Sequence, residues 1–122
     1  MKTVAVIGAS SDRNKFSNKS VRAHLKADYT VYPVHPRETE IEGLPVYRSI
    51  REVPDPVDRV TLYIPPGAVD LILEEIANKK PKELFFNPGS ESPALLDRAR
   101  SLGLNGIQAC SIVDLGFHAT DL

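Results

Sequence analysis

The stretch Thr3-Val4-Ala5-Val6-Ile7-Gly8-Ala9-Ser10-Ser11-Asp12-Arg13 decides how the rest of the chain is read. Thr3 to Ile7 is a continuous run of β-branched and small apolar residues that stops at a glycine, the pattern of a strand covered on both faces. Ala9 to Phe16 is polar and turn-like. From Ser17 to about Ala27 the spacing predicts a helix, with Ser17 or Asn18 as N-cap and Val21 and Leu25 inward at i and i+4. A buried strand, a glycine turn and a helix form the first half of a βαβ unit.

Outward from this unit the alternation continues. Thr30 to Val34 reads as a second strand, stopped by His35-Pro36. Residues 37–56 read as irregular around Gly43, Pro45, Pro54 and Pro56, with a helical turn near Ser49 to Val53. A third strand, Val57 to Ile64, ends at Pro65-Pro66. Ala68 to Lys79 is a helix with Val69, Ile72, Leu73 and Ile76 on one face. Glu83 to Phe86 is a fourth strand before Asn87-Pro88-Gly89. Ser92-Pro93 then caps and opens a helix that runs to Leu102 and stops at Gly103. Asn105 to Cys110 is a fifth strand, and the tail to Leu122 carries no clear pattern. Because parallel crossovers are right-handed, the expected fold class is α/β: a single three-layer, doubly wound, Rossmann-like domain over residues 1–122 with a five-stranded parallel sheet. Ligands bind such sheets outside the carboxyl ends of the strands, where strand order reverses. The turns to examine are therefore Gly8–Asn18, His35–Arg37, Pro65–Gly67, Asn87–Ser90 and Cys110 onward.

Composition removes several function classes. The longest apolar run, Val4 to Ala9, is too short to span a membrane, and no export signal precedes it, so a cytoplasmic protein is expected. One cysteine can form neither an internal disulfide nor a cysteine-rich zinc cluster. A net charge of −1 excludes a strong general attraction to nucleic acid. That charge is unevenly spread: residues 1–37 hold seven Lys/Arg against two Asp/Glu, which points to a local anion site if a motif supports it.

The first turn supplies the motif. Gly8 lets the chain turn sharply and a ligand approach the backbone. The N–H groups that follow, and the helix start, favour phosphate, while Ser10, Ser11, Arg13 and Lys15 add hydroxyls and charge. A tight turn with solvated polar side chains is the bland alternative. The dinucleotide fingerprint needs a second glycine where Ser10 stands, and an NAD site wants an acidic residue at the end of the second strand, where none precedes Glu38. NAD is thereby disfavoured, and a phosphorylated ribose is not. Tyr63-Ile64-Pro65-Pro66 removes two N–H donors and presents flat apolar rings, suited to a base or a long apolar arm, or simply to starting a helix.

Together these turns resemble the CoA-binding domain found as a small stand-alone protein and at the N-terminus of the succinyl-CoA synthetase α-subunit. The resemblance runs through Val4-Ala-Val-Ile-Gly-Ala-Ser10, Val31-Tyr-Pro-Val-His-Pro36, Ile41-Glu-Gly-Leu-Pro-Val-Tyr47, Val53-Pro-Asp-Pro-Val-Asp58, Tyr63-Ile-Pro-Pro66 and Phe86-Asn-Pro-Gly89. It implies coenzyme A or an acyl-CoA as ligand, with Gly8, Ala9, Ser10, Ser11, Arg13, Phe16, Ser17 and Asn18 around the phosphates. It further implies His35, Pro36 and Arg37 beside the nucleotide, Tyr63, Ile64, Pro65 and Pro66 along the adenine and pantetheine cleft, and Asn87 at its far end. The synthetase's second domain with its phosphorylated histidine has no counterpart, so the expectation is a non-catalytic carrier, sensor or interaction module, with no nucleic-acid or membrane partner. The alternatives are an NADP-dependent enzyme on the same loop and a ligand-free regulatory protein of the same fold.

Catalytic candidates are few. Cys110, expected at the end of the last strand, has only His118 near it in sequence and reads as a small buried hydrophobe before a nucleophile. His24 reads as a half-buried packing residue, and Glu74, Glu75 and Asp97 as solvated charge. The three histidines and Cys110 lack metal-ligand spacing, so no metal is expected.

Overall fold

A computed structural model describes residues 2–54 and 56–122. Five parallel strands, β1 (Thr3–Ile7), β2 (Thr30–Val34), β5 (Arg59–Leu62), β6 (Glu83–Phe86) and β7 (Gly106–Gln108), form one sheet in the order β2-β1-β5-β6-β7. β1 is buried along its whole length and pairs on both sides, from Thr3↔Thr30 to Ile7↔Val34 and from Val4↔Arg59 to Ile7↔Leu62. Sequence reading and structure agree here because a strand flanked by strands and covered by helices has no face left for polar residues.

The side chains of β1 alternate between two cores. Ala5 and Ile7 join Val60, Leu62, Leu84 and Phe86 beneath α2 (Pro66–Lys79) and α3 (Pro93–Ser101), together with Val69, Leu73, Ile76, Leu95 and Ala99. Val4 and Val6 pack on the other face with Val21 of α1 (Phe16–Lys26), Tyr29 and Val31. The chain winds one way from β1 through α1 to β2, and the other way from β5 onward, so right-handed crossovers put α1 and α2 on opposite faces. Strand order reverses between β1 and β5.

Residues 37–56, expected to be irregular, contain a short hairpin of β3 (Glu40–Ile41) and β4 (Leu44–Pro45) before a 3-10 turn at Ile50–Glu52. The two turn residues, Glu42 and Gly43, have φ of 50° and 76°, the paired positive values of a type I′ hairpin. Ile41 packs with the α1-side core while Ile50 and Val53 pack with the α2-side core, so this crossover passes from one face of the sheet to the other.

Several boundaries differ from expectation. The third strand is shorter than Val57 to Ile64, since Val57 already turns into the core beneath α2. α1 begins at Phe16 with Lys15 as N-cap, so Ser17 and Asn18 are not caps; both are buried in the first turn. α2 begins at Pro66 rather than Ala68, with its first turn entered through Pro65. The cap on α3 holds: the Ser92 hydroxyl accepts from Leu95 N–H at 3.1 Å with Pro93 at the first helical position. The fifth strand stops at Gln108, and Cys110 is instead the N-cap of a further turn, α4 (Ser111–Asp114), which packs beside α1.

Candidate functional site

The site is built where strand order reverses. Gly8 and Ala9 N–H both donate to Val34 carbonyl oxygen at 3.0 and 3.2 Å, and Tyr63 N–H donates to Ile7 carbonyl oxygen at 2.9 Å, which ties the ends of β1, β2 and β5 together. Gly8 has φ +83°, and a Cβ there would lie 2.7 Å from Ile64 Cγ2 and 2.8 Å from Tyr63 O. Glycine is needed on both counts, conformation and space.

The loop after Gly8 is organised from within. The Ser10 hydroxyl accepts from Asp12 N–H, Asp12 Oδ1 from Asn14 N–H, and Asp12 carbonyl oxygen from Lys15 N–H, all near 3 Å. Beneath it, fully buried Asn18 donates through Nδ2 to Ser10 O at 2.9 Å and Glu42 Oε2 at 3.1 Å, while its Oδ1 accepts from Arg22 Nε at 2.8 Å. Arg13 lies 3.7 Å from the same Glu42 carboxylate. Ser11 N–H donates to the carboxylate of Glu38 at 3.1 and 3.3 Å.

Two cavities meet along Tyr63 and Ile64. The first, about 500 Å³, is mostly apolar and is walled by Ile7, Gly8, Val34, His35, Pro36, Ile50, Ala68, Leu71 and Ile72, with Arg48, Ser49 and Glu75 among its polar residues. The second, about 350 Å³, is lined by Lys15, Phe16, Ser17, Pro65, Pro88, Gly89 and Ser90. Leu71 is 83% exposed and Phe16 58% exposed, so each cavity opens beside an uncovered apolar side chain. Burial raises the Tyr63 phenol above its ordinary range.

The expected residues are gathered, with distinctions. Gly8, His35, Pro36, Tyr63 and Ile64 line the first cavity, and Phe16, Ser17 and Pro65 the second. Ala9 is buried behind the loop, while Ser10, Ser11 and Arg13 form its outer edge. Pro66 lies outside both walls, at the start of α2. Asn18 and Asn87 have their side-chain amides engaged inside the protein. Asn87 Nδ2 donates to Thr61 Oγ1 at 2.6 Å and Leu62 O at 2.8 Å, and its Oδ1 accepts from Ser111 N–H at 2.9 Å. Arg37 is exposed and lines neither cavity.

Sequence reasoning missed Arg48, Ile50, Leu71, Ile72 and Glu75. Arg48 sits in the segment without periodicity, so only the fold reveals that it reaches the cavity. Glu75, expected to be solvated, stands half-buried on the wall with Arg51 at 4.0 Å. The one usable signal was the exposed position of Leu71 beside the buried face of its helix.

The side of the sheet under α1 and α4 carries a buried polar network. Thr61 Oγ1 and Ser111 Oγ are 2.8 Å apart, and the Tyr63 hydroxyl lies 3.2 Å from Ser111 Oγ. Deeper, Arg59 pairs with Asp114 at 2.8 Å and Glu83 at 3.1 Å and lies over the Phe85 ring, 4.4 Å from its centroid. Burial opposes the Arg59 charge, but these two carboxylates more than compensate and hold the guanidinium above its ordinary range. His24 is not half-buried as expected: its side chain has no exposed surface. Its Nδ1 is 2.8 Å from Ser20 O and its Nε2 is 3.4 Å from Arg59. Burial, with Arg59 alongside, lowers its pKa from 6.5 to about 4. A neutral ring donating from Nδ1 satisfies this arrangement. Cys110 is half-buried at the start of α4.

Comparison with known proteins converges on one family. The profile of the CoA binding domain matches residues 2–116. The chain is 37% identical over 78 residues to acetate–CoA ligase [ADP-forming] I of Archaeoglobus fulgidus, covering 64% of this chain and 11% of the ligase. It is 39% identical over 79 residues to the α-subunit of acetate–CoA ligase [ADP-forming] II of Pyrococcus furiosus, covering 62% and 17%. The chain thus spans well under a quarter of these relatives. Among solved structures, a conserved hypothetical protein from Pyrococcus furiosus superposes with a TM-score of 0.84 and 32% identity, over 93% of this chain and 99% of that one. The dinucleotide-forming acetyl-coenzyme A synthetase 1 of Candidatus Korarchaeum cryptofilum, in complex with phosphate and ADP, gives a TM-score of 0.77 and 27% identity over 88% of this chain and 25% of that one. These matches leave the NADP alternative without support. A parallel sheet whose order reverses beside a glycine-opened loop, matched over nearly its whole length by one profile, places this chain in the CoA-binding domain family.

Proposed function

We propose that this chain binds coenzyme A, free or as a thioester, and acts as a carrier, sensor or interaction module without catalysing a reaction of its own. The observation that carries the reading is the apolar cavity of about 500 Å³ set directly against the Gly8 loop. Ligand sites are mostly apolar concavities with few polar groups, and this one joins an apolar wall to the turn at Gly8, with Arg13 and Lys15 on the loop that follows. The residues present suit each part of the ligand. The Gly8–Ser11 loop would take the pyrophosphate, the cavity between Val34 and Ile72 the adenine, and the Tyr63–Pro66 turn and second cavity the pantetheine arm. Arg48 and Arg37 are the cations available for the phosphate on the ribose. The His35 imidazole on the wall is oriented through Nδ1, which accepts from Arg37 and Glu38 N–H at 3.0 and 3.1 Å.

Native mass spectrometry of the purified protein and thermal denaturation with added CoA test this. A bound species of CoA mass is expected, with stabilisation of about 2.7 kcal/mol when CoA is at 100 times its dissociation constant. No retained ligand and no thermal shift at millimolar CoA would leave the ligand-free regulatory reading in its place.

A further inference from the structure

The donors of the phosphate loop differ in what they hold. Gly8 and Ala9 N–H serve a neighbouring strand, and Asp12 and Asn14 N–H serve acceptors within the loop itself. Ser11 N–H alone among these five donates to a carboxylate from another part of the chain, that of Glu38 on the crossover leaving β2. A charge-assisted bond of this kind uses the same donor, and the same preference for negative charge, that a phosphate would use.

The backbone around Glu38 is held on both sides. Glu38 N–H donates to His35 Nδ1, and three residues further on Ile41 is 1% exposed in the α1-side core. The carboxylate itself is at the surface, so side-chain rotation alone can release it. The Ser11 hydroxyl foremost, then the Ser11 N–H, outweigh the opposing effect of burial and hold the Glu38 carboxyl below its ordinary range, with His35 and Lys15 adding attraction. Glu42, the other acid facing this loop, is anchored to Asn18 and Arg13.

Resting on the CoA reading above, we infer that Glu38 is an intramolecular competitor for the ligand's phosphate. Its carboxylate stands on Ser11 N–H until a pyrophosphate displaces it, so Glu38 sets affinity at the phosphate end and leaves recognition of the base untouched.

The test titrates CoA, inorganic pyrophosphate and adenosine into wild type, Glu38→Gln and Glu38→Ala, with the Ser11 amide followed by NMR. Glutamine keeps the shape and removes the charge; alanine removes the acceptor as well. CoA and pyrophosphate are expected to bind about threefold to tenfold tighter to both variants, the yield of a charged pair exposed to and screened by solvent, while adenosine is unchanged. Unchanged or weaker binding of both phosphate probes overturns the inference, because Glu38 would then be a bystander or a ligand contact. An equal gain for adenosine overturns it too, since the loop would merely have loosened. Tighter pyrophosphate binding with no CoA binding in any variant keeps the competitor and removes the CoA reading; CoA binding without a gain does the reverse. No binding of any probe removes both.

Discussion

Gly8 is the residue at which conformation, packing and ligand access coincide. An alanine there would adopt a left-handed backbone and drive its Cβ to 2.7 Å from Ile64 Cγ2 and 2.8 Å from the Tyr63 carbonyl oxygen. The conformational cost alone is about 1–2 kcal/mol, and the backbone contact adds to it because a strand end cannot yield as a flexible side chain can. Gly8→Ala should therefore lose about 2 kcal/mol or more in urea unfolding and should weaken CoA binding as the two turns separate. Arg48 is the second residue with a sharp expectation. It lines the apolar cavity and has no ion pair among the described residues, whereas Arg37 stands outside both walls. Arg48→Ala is expected to lower CoA affinity about tenfold in calorimetric titration, with a smaller loss for Arg37→Ala. Equal affinity of the Arg48 variant and wild type would remove Arg48 from the site.

At the scale of elements, β5 and β6 carry two unlike faces. Val60, Leu62, Leu84 and Phe86 are apolar beneath α2 and α3, while Arg59 and Thr61, with Asn87 just past the end of β6, are polar beneath α1 and α4. This second face is stable because its groups satisfy one another: among the described residues, no buried side-chain polar atom lacks a partner. Thr61 sits at the centre, accepting from Asn87 and meeting Ser111. Thr61→Val keeps the shape but removes both bonds, so a loss of about 1–3 kcal/mol is expected in chemical denaturation. Faster hydrogen exchange at the Ser111 amide, which Asn87 holds, should accompany it; an unchanged rate would mean α4 is secured by packing instead. The turn after β6 is thereby linked to the tail that the sequence left unread.

For the whole molecule, the buried His24 beside Arg59 makes stability depend on acidity. Unfolded, the imidazole gains its proton near pH 6.5; folded, only near pH 4. Between those values the unfolded state binds more protons, so stability falls as pH falls across that window, by about 3 kcal/mol in all, and this group adds nothing further below it. Asp58, held below its ordinary range chiefly by Thr3 N–H, contributes its loss at still lower pH. Unfolding free energies measured at pH 7 and pH 4.5 should show the His24 decline, and a flat profile would contradict it. No helix among the described residues is long and apolar enough to cross a membrane. The layered architecture was legible in the chain itself. A fully apolar strand, a glycine stop and helices of one-sided periodicity demand burial on two faces, and chain chirality then leaves little choice of winding. The loop at Gly8 and the Tyr63–Pro66 turn were legible for the same reason, since strand ends and prolines announce themselves locally. Periodicity was silent about the Glu38–Ser11 contact, Arg48 on the cavity wall and the Arg59–His24–Asp114 cluster. Those depend on side chains brought together from distant parts of the chain, and only tertiary packing sets which charge meets which partner.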